Sequence, residues 1–150
     1  CFDPRYVWHE NARTWQTPGA GETLIARRLA TSPAARAPGY VARGMSEGAA
    51  AHCMEAFDES MGRCILALYR SAAQPKMAEW GANVAGLRSR PGLVIIPADD
   101  SYTGGEALAR RTAERADAQV TLLTGLGHWW LCQDPHQAAA AYCSFIAAMS

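Results

Sequence analysis

Asp99 and Asp100 stand together in "PADD", and His128 follows in "GLGH". A carboxylate that accepts a hydrogen bond from imidazole Nδ1 fixes the ring tautomer and stabilises imidazolium, leaving Nε2 free as a base. Upstream, "GMSEG" from Gly44 to Gly48 spells G-x-S-x-G, the letters of a nucleophile elbow centred on Ser46. Serine, acid and histidine in that chain order could form a complete proton relay. The elements that carry them decide whether they do.

The acid and the histidine lie in a region with α/β texture. "LVII", Leu93 to Ile96, is an apolar run set between Pro-Gly and an acidic turn, which predicts a strand buried on both faces. "GGEALARRTAERA" predicts a helix with Leu108 inward and Arg110, Arg111 and Arg115 outward. A second strand is expected over Val120 to Leu123. "DPHQAAAAYCSFIAAM" predicts a closing helix with Pro135 near its first turn. Strand, helix, strand, helix is the pattern of a parallel sheet, in which working side chains gather beyond the carboxyl ends of the strands. Asp100 and His128 are therefore expected on one rim, with Gly125 and Gly127 permitting the tight turn before the histidine.

Ser46 lies in a different texture. Up to about Gly86 the chain reads as helices and turns with no convincing strand. The expected pieces are a helix over Gly19 to Ala30 bearing Leu24, Ile25 and Leu29, then a loop over "TSPAARAPGY". A helix from Ser46 to Phe57 is followed by its continuation from Met61 to Tyr69, with Met61, Ile65 and Leu68 in register. After Pro75, "KMAEWGANVAGL" adds a short helix with Met77, Trp80 and Val84. The expected division is a helical region over 1–86 and an α/β segment over 87–150.

An elbow needs a buried strand directly before its serine. The residues there, "RAPGYVAR", contain Pro38, which cannot donate to a ladder, and Arg43, which would be buried unpaired. "RCILALY", the one candidate for a further strand before Leu93, fits helical spacing as well as it fits a strand. Ser46 therefore reads as the N-cap of a helix, with Glu47 favoured by the helix dipole.

Composition narrows the classes further. The 150 residues are 49% hydrophobic and 19% charged, ordinary for a soluble globular domain, and 14 basic residues balance 14 acidic ones. That balance gives nothing to draw nucleic acid or an anionic membrane, and no run approaches the length of a membrane span. Cys1, Cys53, Cys64, Cys132 and Cys143 contain no C-x-x-C, so free and mostly buried thiols in a reducing cytoplasm are expected. Cys1 is set aside as a nucleophile because nothing positions it. His9, His52 and His136 have no acid or metal partner at useful spacing and read as residues of the surface or of a helical cap region.

"LVIIPADD" followed by "LLTGLGHWWLCQDPHQAAAAYCSFI" resembles the C-terminal part of the α/β-hydrolase superfamily. There an apolar strand ends in G-x-x-D, and the next ends in G-H with an aromatic and a Q/E-x-P helix start. Laid over this chain, the resemblance puts the acid on Asp100, the histidine on His128 and the helix start on Gln133 to Pro135. Pro97 stands where glycine is usual. "ILALYRSAAQP" is similar to the last cap helix of the dehalogenase and epoxide hydrolase-like branch, and "VWHENARTWQTPGAGE" would lead into that cap. The resemblance implies a partial α/β-hydrolase fold: a helical cap, then the last two parallel strands with their helices.

It also implies a hydrolase of small apolar esters, epoxides or haloalkanes, with Asp100 orienting His128 as general base. Trp15 and Trp129 would line the substrate pocket, or simply pack the cap onto the sheet. No metal or organic cofactor is implied. The nucleophile, the oxyanion-hole donors and most of the sheet are expected upstream of Cys1. Two other readings stay open: a compact serine esterase using Ser46, and a non-catalytic truncated binding module. A two-stranded sheet with open edges is a weak unit alone, so it could need a partner chain.

Overall fold

The computed structural model describes Asp3 and residues 5–149 of the chain. Cys1, set aside above, lies outside them. The chain forms two compact units. One comprises Cys1–Val7 with Met77–Ser150, and the other is Trp8–Lys76. This differs from the expected division at residue 86: the N-terminal segment belongs with the α/β part, and Met77 and Val84 are buried within that unit. Trp80, expected on the same face, is exposed.

The α/β unit is built around two parallel strands, β1 (Leu93–Pro97) and β2 (Gln119–Leu123), paired from Leu93 with Gln119 to Pro97 with Leu123. They are joined through α7 (Gly105–Ala116), and the chain closes with α8 (Trp130–Gln133) and α9 (Pro135–Ala147). Before β1 come α6 (Lys76–Ala82) and a 3-10 helix, Asn83–Ser89. Alternation along the strands sends Ile95 and Leu123 to one face, where they pack with Leu126, Trp130 and Ala141 of α9. Ile96 points to the other face and is equally buried.

Burial of β1 on both faces, expected for Leu93 to Ile96, holds only in part: Ile96 is buried, whereas Leu93, Val94 and Ile95 are half-buried. Val120 and Leu122 are 36% and 37% exposed, because α7 packs mainly along β1 and leaves β2 poorly covered. Of the arginines of α7, Arg110 and Arg111 are exposed as expected and Arg115 is half-buried, and all three are engaged. Arg111 Nε is 2.9 Å from an oxygen of the buried Asp3, and Arg115 donates to the carbonyl of Gly81. Arg110 pairs with Glu106 one turn earlier. The α9 start follows the sequence closely: Pro135 occupies the first turn, and Asp134 caps it by accepting the Gln137 N–H at 2.9 Å.

The helical unit holds α1 (Glu10–Gln16), α2 (Ala20–Ala30), α3 (Pro33–Val41), α4 (Glu47–Glu55) and α5 (Glu59–Ser71). Its core is Ala12, Trp15, Ile25 and Leu66, with Leu24, Leu29, Ile65 and Tyr69 against it. Glycines set the approach of α2 and α5. A Cβ on Gly21 would stand 2.8 Å from Leu66 Cδ2, and one on Gly62 would overlap Ile25 Cγ2. The buried face of α5 therefore runs through Gly62, Ile65, Leu66 and Tyr69. Of the expected Met61–Ile65–Leu68 register only Ile65 meets the core, and Met61 and Leu68 are 45% and 65% exposed.

Two further expectations change in this unit. "TSPAARAPGY" is mostly helix rather than loop: Ser32 accepts the Ala35 N–H, Pro33 needs no donor in the first turn, and alanines carry the helix through Pro38. The helix expected to continue from Phe57 is instead interrupted, because the Asp58 carboxylate caps α5 by accepting the Met61 N–H at 2.7 Å. Cys53, Cys64, Cys132 and Cys143 are unpaired as expected but exposed, contrary to the burial expected of them, since they occupy the outer faces of their helices. Among the described residues no helix is long and apolar enough to cross a membrane.

Candidate active site

The site is assembled just beyond the ends of the two strands. Strand-like pairing continues past Pro97, with Ala98 N donating to Leu123 O and Asp99 N to Leu126 O, both at 2.9 Å. The turn that follows brings the Asp100 carboxyl under the loop carrying His128. Asp100 Oδ2 lies 3.0 Å from His128 Nδ1. Asp100 is 7% exposed, whereas the imidazole is solvent-accessible. Asp99 is exposed, so the adjacent carboxylates separate into one buried against the ring and one facing water.

Both Asp100 oxygens are engaged. Oδ1 takes the Tyr102 N–H at 2.7 Å, while Oδ2 faces the ring. Two such contacts suit the ionised carboxylate, which in turn favours the tautomer with its proton on Nδ1. The ring sits between two aromatics. Tyr102 is tilted at 50° with centroids 4.8 Å apart, and Trp129 is edge-on at 79° and 5.2 Å. A third contact holds the histidine loop: Gln133 Oε1 accepts the Gly127 N–H at 2.7 Å. Gln133 thus braces the turn that aims His128.

A cleft of about 350 Å³ adjoins this pair. Asp100 and His128 line it together with Ile95, Pro97, Thr103 and Trp130. Its lining is largely apolar, with the carboxylate and imidazole as the groups able to do proton chemistry.

The structure brings Asp100 and His128 together as the sequence suggested, and Trp129 packs edge-on against the imidazole, but the aromatic that lines the cleft is Trp130 rather than Trp129. Trp15, considered for the substrate pocket, is a core residue of the helical unit at 8% exposure, packed with Ile25 and Leu66. Ser46 is the N-cap of α4, its hydroxyl accepting the Ala49 N–H at 3.3 Å. Residues 40–44 complete α3 and a turn, so the serine does not follow a strand. The geometry an elbow requires is absent at Ser46.

His9 caps α1 through Nδ1, which accepts the Ala12 N–H, while His52 and His136 are exposed. Among the described residues no group of three or more His, Cys, Asp or Glu is placed to hold a metal ion. Tyr102, Gln133 and Trp130 at the site were not foreseen as contributors. Gln133 was visible as part of the "QDP" helix start, but its grip on Gly127 was not. No family model matches the chain, and no curated protein or solved structure is significantly similar to it.

Proposed function

We propose that Asp100 and His128 are the acid and base of a hydrolase of the α/β-hydrolase superfamily. The observation that carries the reading is the 3.0 Å contact between Asp100 Oδ2 and His128 Nδ1, formed beyond the carboxyl ends of two adjacent parallel strands. In this reading Asp100 holds the Nδ1–H tautomer, and Nε2 takes a proton from a serine hydroxyl or from the water that hydrolyses a covalent intermediate on an aspartate. The apolar cleft beside the pair suits a small ester, epoxide or haloalkane, with Trp129 and Trp130 close to the base. The nucleophile is supplied by chain outside these 150 residues, the helical unit corresponds to the cap of that superfamily, and no cofactor takes part. The unpaired cysteines support a cytoplasmic setting.

The test is hydrolysis of a panel of activated esters, epoxides and haloalkanes by the full product of the gene that encodes these residues. Asp100→Asn is expected to lower kcat/KM by about 10⁴ and His128→Ala by about 10⁶, the usual costs of losing the acid and the base of such a relay. Ser46→Ala is expected to leave it within twofold. Activity that survives His128→Ala, or vanishes with Ser46→Ala, overturns the reading.

A further inference from the structure

We infer that Tyr6 is a positioning residue for the Asp100–His128 pair, an assignment that rests on the catalytic reading of that pair. Tyr6 is 5% exposed, and its hydroxyl donates to the carbonyl of Tyr102 at 2.7 Å. The amide of the same Tyr102 donates to Asp100 Oδ1, also at 2.7 Å. One residue of the acid loop is therefore held on both sides, by Tyr6 at its carbonyl and by Asp100 at its N–H. With Oδ1 fixed in this way, the carboxyl plane is set and Oδ2 is left aimed at His128 Nδ1.

The ring of Tyr6 reinforces the hydroxyl. It lies against Gly104, whose φ of +91° and lack of a side chain let the loop close on it. A Cβ there would stand 2.9 Å from Tyr6 Cδ2 and 2.8 Å from Leu108 Cδ1. Tyr6 is itself tethered. Its N–H donates to Asp3 O at 2.9 Å, and the fully buried Asp3 carboxylate bridges Arg5 at 3.2 Å and Arg111 of α7 at 2.9 Å. The N-terminal segment is thus pinned to the middle of α7 by Asp3 and to the loop before α7 by Tyr6. That span includes the loop on which the acid depends.

Tyr6→Phe removes one oxygen atom and keeps the ring on Gly104. Its test is the tautomer of neutral His128, read from the ¹⁵N shifts of the ring in the full product of the gene that encodes these residues, a readout that needs no turnover. The wild type is expected to hold the Nδ1–H form. Tyr6→Phe is expected to give a mixture of both tautomers. Ile25→Val, in the core of the helical unit, is expected to lower the thermal midpoint without moving the tautomer. Asp100→Asn, whose amide donates where the carboxylate accepted, is expected to swing the ring to Nε2–H.

If Asp100→Asn moves the tautomer and Tyr6→Phe does not, the role of Tyr6 is overturned while the pair stands. If neither moves it, both fall. An equal effect of Ile25→Val would also overturn the inference, because general loosening would then explain the change. Should Tyr6→Phe not fold, the wild-type hydroxyl proton decides. Slow exchange with solvent supports the tether, and exchange as fast as that of a free phenol overturns it.

Discussion

The amide of Asp99 donates to the carbonyl of Leu126 at 2.9 Å, joining the acid loop to the histidine loop one residue before Asp100 and two before His128. This bond continues the parallel ladder beyond β1 and β2. It gives Asp99 a role through its backbone, while its exposed carboxylate faces water. The two adjacent acids are thereby separable by experiment. Asp99→Ala keeps the backbone contact and is expected to leave kcat/KM within about twofold, as surface substitutions usually do. Asp100→Asn is expected to lower it by about 10⁴ through the wrong tautomer. Steady-state kinetics of the two variants, side by side, check this.

Gln133 offers a second, independent handle on the histidine. Removing its acceptor with Gln133→Ala leaves the Gly127 N–H without its side-chain partner, a loss of about 1 kcal/mol. The expected result is faster hydrogen exchange at the Gly127 amide. Gln133→Glu, which keeps an acceptor oxygen, should restore protection. Exchange at Gly127 that ignores both substitutions would remove Gln133 from the site.

Asp3 sets an acid limit to the α/β unit. The Arg5 backbone N–H, then the Arg111 and Arg5 side chains, hold its carboxyl down at about 2 against the opposing effect of burial, from an ordinary value of 3.8. A carboxyl whose pKa is depressed on folding contributes stability that is complete above its unfolded value and lost as pH falls through the folded one. The loss is therefore expected between about pH 4 and pH 2. Urea midpoints across that window should fall for the wild type and stay flatter for Asp3→Asn, which starts less stable at neutral pH.

Glycine substitutions distinguish close helix approach from plain helix propensity. Gly62→Ala puts a methyl into Ile25 and is expected to cost about 1–3 kcal/mol, the usual range for overpacking. Gly39 lies inside α3 with open space where a Cβ would be, so Gly39→Ala should stabilise by about 0.5–1 kcal/mol. Denaturant unfolding of both variants checks the contrast in sign.

Ser46→Ala tests the helix cap directly. Loss of the Ala49 N–H acceptor is expected to destabilise by about 0.5–2 kcal/mol, with Ser46→Asp recovering most of it. A serine acting as nucleophile would show no such rescue.

The parts of this architecture that were legible in the sequence are those fixed by local chemistry. A short apolar run between Pro-Gly and an acidic turn gave β1, and the Asp-Pro start marked α9 almost to the residue. Where Asp100 and His128 would emerge followed from the strand ends. The α3 helix was hidden because proline and glycine usually mark loops, and only the Ser32 cap with Pro33 in the first turn reverses that here. The face of α5 was misread because glycine does not count as apolar, yet Gly62 faces the core to admit Ile25. Tyr6 was invisible for a different reason. It acts through the backbone of a residue 96 positions away, and no periodicity records such a contact.

The central claim is the hydrogen bond between Asp100 and His128, and proton NMR of the full gene product reads it most directly. A low-field proton coupled to His128 Nδ1, present in the wild type and lost in Asp100→Asn, is the expected result. A wild-type spectrum without that proton, or one unchanged by Asp100→Asn, would contradict it.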